Sequence, residues 1–173
     1  MTSDYASMPP RPIAAEAQAI LACLADSLGY RYFWATADLP EETLTFAPPG
    51  GAMTLGALLG HMRDLAWKID LSLSGPGGDR SGSTLAEMRD STLVWIRASA
   101  GRLTGMSAAE IEAVEITSSR GDNGNLWTLI HGPMADFLTH VGQVNSWRRM
   151  AGSPPPKARV FHGLPPEDSP ASS

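Results

Sequence analysis

The stretch T-L-G-A-L-L-G-H-M-R-D-L-A-W-K-I-D-L-S-L-S, residues 54–74, decides the fold class. Leu55, Leu58, Leu59, Met62, Leu65, Ala66 and Ile69 recur at i, i+3, i+4, i+7 spacing, which makes one apolar stripe on a helix and no face on a strand. Thr54 suits the N-cap, and Gly75-Pro76-Gly77-Gly78 ends the helix after about Ser74. His61 lies beside the stripe, nearest Leu58 and Leu65, where it can reach into a helical interior. A histidine in such a place is more often a hydrogen-bonded structural residue than a ligand. Asp64 and Lys68, further round, read as solvated.

Upstream, Pro9, Pro10 and Pro12 keep the chain extended, and Pro12 is placed to start a helix. Ile20, Leu21, Leu24 and Leu28 give that helix its stripe from Ile13 to about Ala37, with a loosening expected at Gly29. Cys23 reads as a small core residue rather than a reactive thiol. Leu39-Pro40 ends the helix and a Pro/Gly loop follows.

Downstream, Thr84-Leu-Ala-Glu87 has the form of a capping box. Met88, Thr92, Trp95, Ile96, Ser99 and Leu103 then mark a third helix to about Gly105. Ser107 to Glu110 can cap a short turn, Val114 to Thr117 alternates, and Ser118 to Gly124 reads as loop, with Arg120-Gly121-Asp122 a turn rather than an adhesion tripeptide. Leu126, Trp127, Leu129 and Ile130 resume a helix that Gly132-Pro133 either kinks or restarts. It runs to Met150, with Gly152 as the C-terminal cap. Arg148 and Arg149 fall in its last turn, favourable against the helix dipole, a reading preferred to an anion site. Beyond Ser153 the chain is Pro-rich; Val160 and Phe161 can pack back on the helices.

Four long amphipathic helices without a convincing sheet predict an all-α four-helix bundle. The long connections after the first and third helices permit crossovers. Residues 1–12 read as an N-terminal extension, 13–161 as the bundle and 162–173 as a flexible tail. A length of 173 residues fits that one domain. The net charge of −5, with no basic cluster against it, disfavours nucleic acid as a partner. Cys23 is the only cysteine, so an internal disulfide and a thiolate-rich zinc site are excluded. No opening resembles a secretory signal, and no apolar run approaches the ~20 residues that cross a bilayer. A soluble, cytoplasmic protein without membrane contact is expected.

The chemistry concentrates in D-F-L-T-H-V-G-Q-V-N-S-W, residues 136–147. Asp136 and His140 are one helical turn apart on a face that borders the stripe Phe137, Val141, Val144 and Trp147. His162 belongs to the tail and His131 falls on the far side of the helix. His61, Asp136 and His140 are then the set able to converge, two imidazoles and a carboxylate with positions open for a catalytic divalent ion such as Zn, Ni, Fe or Mn. Gln143 is placed to orient a ligand from the outer sphere. The same residues can equally form a buried polar cluster without metal.

His140-Val-Gly142-Gln143 followed by Trp147-Arg148-Arg149, and Thr54-Leu-Gly-Ala-Leu-Leu-Gly-His61 after a Pro-Pro-Gly-Gly loop, resemble the DinB/YfiT-like superfamily. Asp38-Leu-Pro40-Glu-Glu is similar to the end of that family's first helix. The resemblance spans about Ile13 to Phe161. It implies a four-helix bundle with crossover topology, usually a homodimer, and a divalent metal held by three histidines, one on the second helix and two in an H-x3-H-x-G-Q motif. His61 and His140 match two of them. Asp136 stands where the family has the third, an oxygen ligand in place of nitrogen. Relatives so implied are thiol-dependent transferases and isomerases that use low-molecular-weight thiols such as bacillithiol or mycothiol, and metal-dependent hydrolases. The expectation is a metal-dependent enzyme of small molecules, in which the ion activates water or a thiol or polarises a substrate oxygen. The other expectation is a non-catalytic small-ligand or stress-response bundle with a metal-free site. The sequence singles out no catalytic residue beyond the ligand set.

Overall fold

The structure, a computed structural model of the chain, describes residues 5–10, 15–117 and 121–167. It is mostly helical. Four long helices carry it: α1 (Ala17–Thr36), α2 (Leu55–Ser72), α3 (Leu85–Gly105) and, after the short α4 (Ala108–Glu112) and α5 (Leu126–Leu129), α6 (Ala135–Met150). The expected helix start at Pro12 and Ile13, the turn residue Arg120 and the tail beyond Glu167 lie outside the described residues. No helix among the described residues is long and apolar enough to cross a membrane.

Each long helix is bounded by local chemistry. Thr54 accepts the Ala57 amide at the start of α2, and Thr84 and Glu87 cap α3 reciprocally, as do Ser107 and Glu110 for α4. At the end of α6, Gly152 adopts φ 80° while its amide donates to Arg149 and that of Ser153 to Arg148, a Schellman closure. The break before α6 is a π-type turn, Ile130–Met134, in which Gly132 leaves helical geometry at φ −87°, ψ −106°. Pro133 has no amide to give, so α5 and α6 do not form one continuous helix.

The core stripes of α2 and α3 lie inside: Leu55, Leu58, Leu59, Met62, Ala66 and Ile69 are inaccessible, and Thr92 and Ser99 are buried with Ile96 and Leu103. On α1 the expected stripe is buried at Leu21 and Leu28 and half-buried at Leu24, and only Ile20 falls off it. Ile20 is 56% exposed, while Ala22, Ala25, Leu28, Gly29 and Tyr32 face inward. Gly29 is not a loosening of α1. Tyr5 lies on it, and a β-carbon there would overlap the ring. The Tyr5 hydroxyl donates to Asp26 at 3.0 Å, and Arg97 of α3 donates to the same carboxylate at 3.1 Å while covering the Tyr5 ring. The segment before α1 is thus clamped to α1 and α3 together.

Extensive packing runs from α1 to α3, α3 to α2, α2 to α6 and α6 back to α1. The pairs α1–α2 and α3–α6 are outside that set, so the two long connections lead between helices that are not main partners. The second of these connections also holds a two-stranded antiparallel ribbon, β1 (Glu115–Thr117) and β2 (Asn123–Asn125), with Ile116 opposite Gly124. The loop expected over residues 118–124 therefore ends in a strand. Ile116 supplies the reason, since its side chain is buried while Glu115 and Thr117 stay out.

Two charged groups lie inside the fold with partners on other helices. Asp70 is fully buried and pairs with Arg102 of α3 at 2.6 Å. Arg148 falls in the last turn of its helix as expected, and it is buried there. It is 1% exposed and donates to the carbonyls of Ala35, Ala37 and Ser153 at 2.9, 2.8 and 2.8 Å. α1 has no basic residue in its last turn. Arg148 supplies that end with charge from another helix. After α6, Phe161 does not pack back: it is 93% exposed, in a turn closed by the Arg159–Leu164 bridge.

Candidate metal centre

Helix α2 projects His61 and helix α6 projects Asp136 and His140 toward one point. One potential ligand atom from each lies within 4.8 Å of the other two. Asp136 stands between the imidazoles, with Oδ2 3.3 Å from His61 Nε2 and Oδ1 3.2 Å from His140 Nε2. The two rings meet edge to face with centroids 4.9 Å apart. The distances matter. Charge-assisted N–H···O bonds are usually about 2.7–2.9 Å, whereas two donors bound at about 2.0–2.1 Å to a tetrahedral ion are roughly 3.3 Å apart.

Burial divides the group. The His140 side chain is only 13% exposed, while those of His61 and Asp136 are 41% and 46% exposed. The residue nearest the core is also the most constrained. His140 Nδ1 lies 2.6 Å from Gln143 Oε1, an acceptor, which matches the tautomer with the proton on Nδ1. In that tautomer Nε2, when unprotonated, faces Asp136 Oδ1 with its lone pair. Two acceptors facing each other need something positive between them, either a second proton on His140 or a metal ion. Two imidazoles and a carboxylate suit a divalent transition ion by donor type, and the half-exposed side leaves room for a further ligand. The group can therefore hold a metal ion.

The remaining histidines take no part. His131 is exposed in the π-type turn, and His162 is exposed in the turn after α6. Helical spacing accounts for Asp136, His140 and Gln143, which share one face of α6. The use of both Asp136 oxygens, one toward each histidine, could not be read from spacing, because it depends on how α2 meets α6. Compared with known proteins, the chain matches no family model, no curated protein and no solved structure.

Proposed function

We propose that the chain is a divalent-metal-dependent enzyme of the DinB type, a four-helix bundle with crossover connections that acts on a small molecule as a homodimer. His61, Asp136 and His140 would hold the ion between α2 and α6. The observation that carries this reading is the convergence of His61 and His140 on Asp136, with His140 Nδ1 held 2.6 Å from Gln143 Oε1. When bound, a divalent ion supplies Lewis acidity at a half-exposed position.

The chain's own residues do the rest. Gln143 fixes the ring and tautomer of His140. Asp136 would supply the oxygen ligand between the two imidazoles, and the exposed flank formed by His61 and Asp136 admits substrate. The chemistry fits a hydrolase or a thiol-dependent S-transferase or isomerase with a low-molecular-weight thiol as cosubstrate. Turnover of an aryl ester or of an alkylating electrophile, with and without added thiol, separates these two.

The contact of both histidines with one carboxylate also favours a second reading, a metal-free polar cluster in a non-catalytic ligand-binding or stress-response protein. Metal analysis decides between them. Protein purified without a histidine tag should carry close to one divalent ion per chain and His140→Ala should lose it. A metal-free protein whose melting ignores chelator would sink the enzyme reading.

A further inference from the structure

Helix α6 has a second flank. Arg149 follows His140 by nine residues, which at about 100° per residue places it on the opposite side of the helix. There it borders a cleft of about 260 Å³ between α1, α6 and the segment around Pro155–Ala158. Arg31 of α1 and Lys157 line the same cleft, and no carboxylate does so among its described residues.

That grouping stands apart from the other cations among the described residues. Arg63, Arg80, Arg97, Arg102 and Arg159 each pair with a carboxylate. Arg89 and Arg148 donate to carbonyls near the end of α1. Arg31, Arg149 and Lys157 have no carboxylate partner among the described residues and line this one cleft, with Arg149 also donating to the Asn145 carbonyl at 3.1 Å. Three unneutralised cations thus meet at one hollow in a chain whose net charge is −5. A fourth charge stands behind it, since buried Arg148 bonds the carbonyl of Ala35, itself part of the wall. Buried charge is little screened by salt.

The walls set the rest of the ligand. Trp34, Val141 and Pro156 offer apolar surface, and Asn145 a polar side chain. The volume lies just below the ~300 Å³ at which ordinary ligand pockets begin, which suits a small molecule rather than a polymer. Several cations around one hollow match a dianion better than a monoanion. We propose that this cleft binds a small phosphate ester with a flat apolar body, its phosphate held by Arg31, Arg149 and Lys157 and its body laid against Trp34. The assignment is independent of the metal centre.

Titration of the full chain with phenyl phosphate, followed by amide and indole NMR shifts, tests it. Saturable binding is expected, with shifts at Asn145 and the Trp34 indole, and inorganic phosphate should bind more weakly for want of the ring. Lys157→Ala and Arg149→Ala, both at exposed positions, should each weaken phenyl phosphate about tenfold, the loss of one charge-assisted contact, with unchanged melting. Non-saturable shifts, or affinity that survives both substitutions together, overturn the site. Benzoate bound as tightly as phenyl phosphate overturns the phosphate assignment, and shifts centred on His61 and His140 overturn the location.

Discussion

Gln143 controls what His140 can offer. By accepting a hydrogen bond from Nδ1 at 2.6 Å it leaves Nε2 as the atom that faces Asp136, and it stops the ring from turning away. Gln143→Leu keeps the size and removes the acceptor, so metal affinity should fall about 10–100-fold, measured by competition with a chromophoric chelator. An unchanged affinity would leave Gln143 without a positioning part. Arg148 and Arg149 make a second comparison, because neighbours of one chemistry face opposite environments. Arg148→Ala strands the buried carbonyls of Ala35 and Ala37 and should destabilise by roughly 3 kcal/mol in urea unfolding. Arg149→Ala, at an exposed position, should stay within about 0.5 kcal/mol. Equal effects would remove the capping role. The shared face of Asp136, His140 and Gln143 was legible because it follows from helical spacing alone. The partners of Arg148 were not, since they are backbone carbonyls of a distant helix and carry no sequence signal.

At the scale of elements, the clamp between Tyr5 and α1 depends on a missing β-carbon. Gly29 is helical, and in an open helix a change to alanine would stabilise by up to about 1 kcal/mol. Here the new methyl would overlap a buried ring that also bonds Asp26 and lies under Arg97. Gly29→Ala should therefore destabilise the wild type by about 1–3 kcal/mol, the range for overpacking. In a Tyr5→Ala background the same change should become neutral or stabilising. A cycle of four urea-unfolding curves measures that coupling, and additive effects would refute the clamp. Elements with strong caps and uniform stripes, α2 and α3, were readable to within two residues of their ends. Those that borrow their stability were not. On α1, Leu21 and Leu28 mark the buried face, but Ile20 lies outside it and alanines and Gly29 make up the rest. Strand β2 is Asn-Gly-Asn and pairs only because Ile116 anchors its neighbour.

At the scale of the whole molecule, charges buried between helices shape the response to pH. Desolvation holds the Asp70 carboxyl above the ordinary carboxylate range even beside Arg102. The folded chain then keeps this proton where the unfolded chain has released it, so the group's stabilisation is full below the unfolded value and declines as pH rises through the folded one. The wild-type advantage over Asp70→Asn should accordingly shrink with rising pH across the carboxylate range in urea titrations, and an advantage that grows would reverse the assignment. Glu87 and Glu110 act with the opposite sign, since their capping bonds hold them low and are lost as pH falls through their folded values. The candidate metal-binding group joins α2 to α6 instead. His61 and Asp136 are 75 residues apart and meet only in the folded chain. An ion held there stabilises the native state by mass action, about 2.7 kcal/mol at a hundredfold excess over its dissociation constant, or roughly 5–10 °C in melting temperature for a chain of this size. Chelator-treated protein should recover that increment on addition of Zn²⁺ in a concentration-dependent way. His61→Ala should abolish the increment, because Asp136 and His140 both lie on α6 and cannot join it to α2. Lys157→Ala should leave the increment intact. An increment that survives His61→Ala would place the ion elsewhere on the surface and separate metal binding from the contact between α2 and α6.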